Sequence, residues 1–68
     1  MSEAMDVLVA ETEDAFGGRP LYLLSKKEQH LAVQFLVDLG ALELRESALR
    51  IAAAFGKSRV WVYNSLNS

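Results

Sequence analysis

The stretch SALRIAAAFGKSRVWVYNSLN, residues 47–67, decides the fold. Ile51, Ala52 and Phe55 recur at helical spacing and give one apolar face. Gly56 sits where a helix needs a terminal residue of positive φ, which glycine adopts without a Cβ clash. Ser58 is then placed to cap a second helix by accepting from a backbone N–H of its first turn. Val62 and Leu66 give that helix its inward stripe. Two short helices joined by a glycine turn cross steeply and leave a face of the second one open. That face carries Arg59, Val60, Tyr63 and Asn64, with Trp61 at its shoulder.

The pattern Ile51-Ala52-x-x-Phe55-Gly56-x-Ser58-Arg59-x-x-Val62-x-x-x-Leu66 resembles the helix-turn-helix of bacterial and phage DNA-binding regulators. The small residue where the helices touch, the turn glycine, the serine opening the second helix and the branched residue four further on all match. The motif is also similar to that of the stage III sporulation regulator of spore-forming bacteria, a narrower family to which the chain is not assigned. One position departs: the residue after the turn glycine is usually apolar, and here it is Lys57. That loosens the expected packing of the turn and sets a cation near a phosphate.

With 68 residues the chain is one small domain at most, and its core is correspondingly small. It has no cysteine, which excludes disulfides and Cys-type zinc sites and is compatible with a reducing cytoplasm. His30 is the only histidine and builds no metal site alone; it is expected at the surface. The acidic start is unlike a signal peptide, and no apolar run reaches transmembrane length. No nucleophile–base pair, paired carboxylates or metal set is present, so the expectation is no enzyme, no catalytic residue and no cofactor. The net charge of −2 is unevenly spread. Residues 1–18 carry Glu3, Asp6, Glu11, Glu13 and Asp14 and no cation, whereas Arg45, Arg50, Lys57 and Arg59 outnumber Glu43 and Glu46 in residues 41–68. The excess is modest, so useful DNA affinity is expected to need two copies.

The expected architecture is all-α: a small three- to four-helix bundle with the helix-turn-helix at its C-terminal end. Residues 1–18 are an acidic N-terminal segment, a helix or arm with a possible dimerising role, and residues 19–68 are the DNA-binding domain. Residues 2–16 read as a helix through Met5, Leu8, Val9, Thr12 and Phe16, ended by Gly17-Gly18, although Val7-Leu8-Val9 equally suits a short strand. Gly-Gly-Arg-Pro then breaks the chain. Leu21-Tyr22-Leu23-Leu24 is a hydrophobic lead-in or one strand of a ribbon, with Leu24 at a hydrophobic-staple position.

Residues 25–39 form the clearest helix, opened by the capping box Ser25-Lys26-Lys27-Glu28 and closed by Gly40. Leu31, Ala32, Phe35 and Leu39 are expected to face the motif, with His30 and Gln34 on the polar side. Val33 and Val37 then need a second cover from the N-terminal segment or another copy. Leu42-Glu43-Leu44 is too short to define a strand and can be a first helical turn running into Ser47. The sequence stops two residues after the last helix, so no β wing is expected there and dimer contacts are expected upstream.

The resemblance implies that residues 58–67 lie in the major groove as a recognition helix. Ser58 and the free backbone N–H groups would meet a phosphate. Arg59 would take guanine O6 and N7, Asn64 adenine N6 and N7, and Val60 a thymine methyl, while Tyr63 would reach a base or a phosphate. Lys57 and Arg50 would position the DNA backbone. Trp61 either packs on the preceding helix or rests on the sugar–phosphate edge. The implied partners are double-stranded DNA and a second copy, joined through the N-terminal segment or the helix of residues 25–39, with no membrane. The implied activity is sequence-specific transcription control, such as repression by occupancy, in the cytoplasm of a bacterium or phage-infected cell. The competing reading is a helical protein-interaction module that binds no DNA.

Overall fold

Four helices form where the apolar spacing and caps direct them, in a computed structural model that describes residues 4–67. They are α1 (Ala4–Ala15), α2 (Lys26–Asp38), α3 (Ser47–Phe55) and α4 (Arg59–Leu66). Two single 3-10 turns, Leu21–Leu23 and Ala41–Glu43, link the first three, and there is no strand among the described residues. The protein is thus an all-α bundle with the helix pair α3–α4 at its C-terminal end.

One shared core joins all four helices. Ile51, Ala52 and Phe55 of α3, Val62 of α4, Ala32, Val33 and Leu36 of α2, and Met5 of α1 are buried together with Leu21, Leu24 and Ala41 from the links. The Ile51–Ala52–Phe55 face and Val62 point inward as their spacing requires, and Leu66 is partly buried beside them.

The first segment is a helix, not a strand, over the described part of the expected range; Ser2 and Glu3 lie outside the described residues. Its 3–4 spacing lets Met5, Leu8, Val9 and Phe16 pack onto the core from one side. Thr12 is fully buried, and its Oγ1 donates to the Leu8 carbonyl (2.8 Å), which satisfies the hydroxyl within the helix. A carboxylate of α1 reaches the next link, where Glu13 Oε2 accepts from the Leu21 N–H (3.1 Å). Leu21–Leu23 therefore makes a 3-10 lead-in and no ribbon strand.

α2 opens with the predicted capping box: Ser25 Oγ accepts from the Glu28 N–H (3.2 Å), and Glu28 Oε1 from the Ser25 N–H (3.2 Å). Its buried stripe is not the one expected. Leu31 is 54% exposed and Leu39 is also exposed, whereas Gln29, Ala32, Val33 and Leu36 are buried. The stripe is rotated because Gln29 is tied inward by a long hydrogen bond to the Leu21 carbonyl (3.5 Å), and because α1 covers the side that would otherwise lie open. Val33 is in the core, Val37 is partly buried against it, and Phe35 meets Phe16 edge-on at 6.1 Å. Val33 and Val37 share this core with Met5, Leu8, Val9 and Phe16 of the N-terminal segment, one of the two covers expected for them. Leu24 is buried in the shared core with no apolar staple partner, since the fourth helical residue is the polar Gln29.

The link to α3 also differs from expectation. Ala41–Glu43 is a separate 3-10 turn and does not run into α3, because Glu46 adopts the left-handed conformation (φ 54°, ψ 34°) between them. Glu46 is the only described non-glycine residue with positive φ, and its side chain makes no capping hydrogen bond.

Two stability measurements follow. Gly56→Ala should cost about 1 kcal/mol in urea unfolding, since φ at Gly56 is +67° and an L-residue there is strained, while the added Cβ would meet Tyr22 only at ordinary contact, 3.7 Å. An unchanged midpoint would contradict that conformation. The second concerns Glu28, which is held below the usual glutamate range first by the Ser25 backbone N–H and Ser25 side chain and then by Arg19 (3.0 Å), with desolvation opposing them. Folding lowers this pKa, so the contribution is present above the unfolded-chain value and is lost as pH falls through the folded one. Glu28→Gln should therefore be less stable than wild type at neutral pH, and the gap should close on acidification below about pH 4.3.

Candidate nucleic-acid interface

The geometry of the turn sets the candidate surface. The Lys57 N–H donates to the Ala52 carbonyl (2.9 Å) and the Gly56 N–H to the Ala53 carbonyl (3.2 Å), the paired bonds of a Schellman ending with Gly56 left-handed. Ser58 is extended (φ −99°, ψ 165°), and its Oγ accepts from the Trp61 N–H (3.2 Å). Only Gly56, Lys57 and Ser58 separate the two helices. Ala52, small and buried, lets α4 approach, and the buried Val62 fixes which side of α4 faces in.

Once Val62 is inside, the helical period turns its neighbours outward. Lys57, Ser58, Arg59, Val60, Tyr63 and Asn64 are all exposed around the turn and the outward side of α4, with Val60 at 64% and Tyr63 at 51% exposure. Arg59, Tyr63 and Asn64 have no side-chain hydrogen bond or ion pair among the described residues. The structure therefore brings together six of the eight residues singled out in the sequence, as one surface with open donors. The Ser58 acceptor is already used by the cap, so toward an anion it has its hydroxyl proton and the adjacent Arg59 and Val60 N–H groups to offer.

Trp61 and Arg50 are placed differently. Trp61 is half-buried and packs inward: its ring lies 5.2 Å from Phe55 and 5.8 Å from His30, nearly parallel to the latter. His30 is consequently half-buried too, not the surface residue expected, and its Nδ1 has no hydrogen-bond partner among the described residues. The Lys57 Nζ stands over the same indole at 5.9 Å. A surface cation–π contact of this kind contributes about 0.5–1 kcal/mol, enough to bias where Lys57 sits beside the start of α4. It also gives the departing residue of the turn a packing role after all. Arg50 is half-buried on the α1 side of α3, lining clefts with Met5, Arg45 and Ala54. One residue along a helix is a rotation of about 100°, which carries Arg50 away from the α4 face.

The same rotation exposes a residue that the sequence reading passed over. Leu49, one position before Arg50, points to the α4 side and lines a cleft of about 340 Å³ with Glu46, Ser47, Ala48, Arg59 and Tyr63. The available signal was its phase: Leu49 lies off the Ile51–Ala52–Phe55 stripe yet is large and apolar. Among the described residues, no group of three or more His, Cys, Asp or Glu is placed to hold a metal ion, and no helix is long and apolar enough to cross a membrane.

The sequence profile of a family described as an HTH domain matches residues 4–67. No curated protein and no solved structure matches the chain.

Proposed function

The chain belongs to the helix-turn-helix domain family, and we propose that it is a sequence-specific binder of double-stranded DNA that regulates transcription. The observation that carries this reading is the single exposed surface formed by Lys57, Ser58, Arg59, Val60, Tyr63 and Asn64 around a turn whose geometry is complete. Laid in the major groove, α4 presents Arg59 to guanine O6 and N7, Asn64 to adenine N6 and N7, Val60 to a thymine methyl and Tyr63 to a base or phosphate. Lys57 and the N-terminal amides of α4 contact phosphates and hold the register. Arg50, on the far side of α3, contributes to the long-range attraction more than to a base contact, and Trp61 sets the tilt of α4 from within.

The cation count on this face is low, so we assign the working form to a homodimer in the cytoplasm, acting as a repressor by occupying its site. Exposed Leu31 on α2, Leu39 at its C-cap and Val7 on α1 support pairing through α2 or the acidic N-terminal segment of residues 1–18. The same apolar residues favour the second reading, a protein-interaction module, if duplex DNA is not bound.

Anisotropy of labelled duplexes at low and moderate salt separates the two readings. Wild-type affinity should fall steeply with salt. Arg59→Ala should cost about 1–3 kcal/mol on a preferred site and relax one base position, whereas Lys57→Ala should weaken all sequences alike and reduce the salt slope. Equal, sequence-independent losses from both variants would mean that α4 does not read bases through Arg59.

A further inference from the structure

We propose that Leu49 is a specificity-determining residue: with Tyr63 it forms an apolar seat, beside Arg59, for the 5-methyl group of one thymine. The inference rests on the DNA-binding reading and extends base recognition from α4 onto α3.

Leu49 is 51% exposed although Ile51, Ala52 and Phe55 on the same short helix are buried, and Tyr63 across the cleft is equally exposed. Ala48 lines the same cleft. The rim argues against a phosphate as the occupant. Glu46 places a carboxylate there that has no ion pair among the described residues, so it offsets the charge of Arg59, the one cation lining the cleft. Ser47 donates its hydroxyl to the Leu42 carbonyl (3.5 Å) and so turns its proton away from any anion. What remains is a cleft with one planar donor set, apolar side chains from Ala48 and Leu49 among polar neighbours, and no net positive charge. A phosphate fits that poorly, and the edge of a base pair fits it well. The one apolar group a base pair shows in the major groove is the thymine methyl, and the acceptors that suit Arg59 best are guanine O6 and N7. Leu49 therefore reads a thymine neighbouring the guanine taken by Arg59.

The test starts from a duplex selected by the whole chain from a random pool, in which each thymine is replaced in turn by deoxyuridine, removing only the methyl. One thymine next to a guanine should show a loss of about fourfold on replacement, the value of one buried methyl group. Leu49→Ala should bind the thymine and deoxyuridine duplexes equally at that position, with its salt slope unchanged, and Leu49→Met should restore the difference. Wild-type indifference to deoxyuridine at every thymine would overturn the proposal without recourse to any variant, as would full discrimination retained by a folded Leu49→Ala. A wild-type chain that binds no duplex would overturn the DNA-binding reading and this proposal with it; one that binds and ignores the methyl overturns this proposal alone.

Discussion

The left-handed turn at Gly56 is the constraint on which the rest of the molecule depends. It closes α3 by returning the Lys57 and Gly56 N–H groups to the last turn, and it fixes the direction in which α4 leaves. With that direction set, Val62 enters the core, and the side chains two and three positions before it, Val60 and Arg59, together with Tyr63 and Asn64 after it, are turned outward. The exposed basic face is thus a geometric consequence of a buried one. The magnitudes agree with this ordering. Burying Phe55 is worth roughly 1.5–3 kcal/mol, the turn conformation about 1, and a surface ion pair such as Arg19–Glu28 less than about 1.

A domain of this size has little apolar surface to spare, which explains why α1 is part of the fold. Met5 and Phe16 close the side of α2 that α3 and α4 leave open, and Glu13 and Thr12 satisfy polar groups that burial would otherwise strand. The acids of α1 that remain outside, Asp6, Glu11 and Asp14, are exposed on a helix with no basic residue in its last turn. The charge asymmetry of the sequence is therefore an asymmetry of the folded surface, with exposed acids on α1 and exposed Lys57 and Arg59 at the turn between α3 and α4.

Much of this was legible in the residues, for reasons that can be named. Ser25 and Glu28 define the start of α2 through one local reciprocal pair, and Gly56 and Ser58 do the same for the turn; such signals depend on near neighbours only. The phase of α2 was not legible, because its sequence is apolar on more than one side and the choice fell to distant partners: the N-terminal segment packing on α2, with Phe16 against Phe35, and the Leu21 carbonyl accepting from Gln29. The break before α3 was hidden for a similar reason, since Glu46 takes a conformation that its type disfavours and the surrounding chain imposes. At the candidate site, the residues on α4 followed from helical period, whereas Leu49 required knowing how α3 is rotated against α4. Trp61 had two open readings, and the aromatic contacts with Phe55 and His30 place it inward.

Backbone amide shifts mapped by heteronuclear NMR, while a duplex is titrated into the intact chain at low salt, test the proposed α4 surface most directly. The largest changes should fall on residues 57–64 and on residues 46–49 at the start of α3, with the outward faces of α1 and α2 unmoved. Changes centred on α1 or on the Leu31 face of α2, with residues 57–64 silent, would contradict the claim that the turn and α4 form the DNA-reading surface.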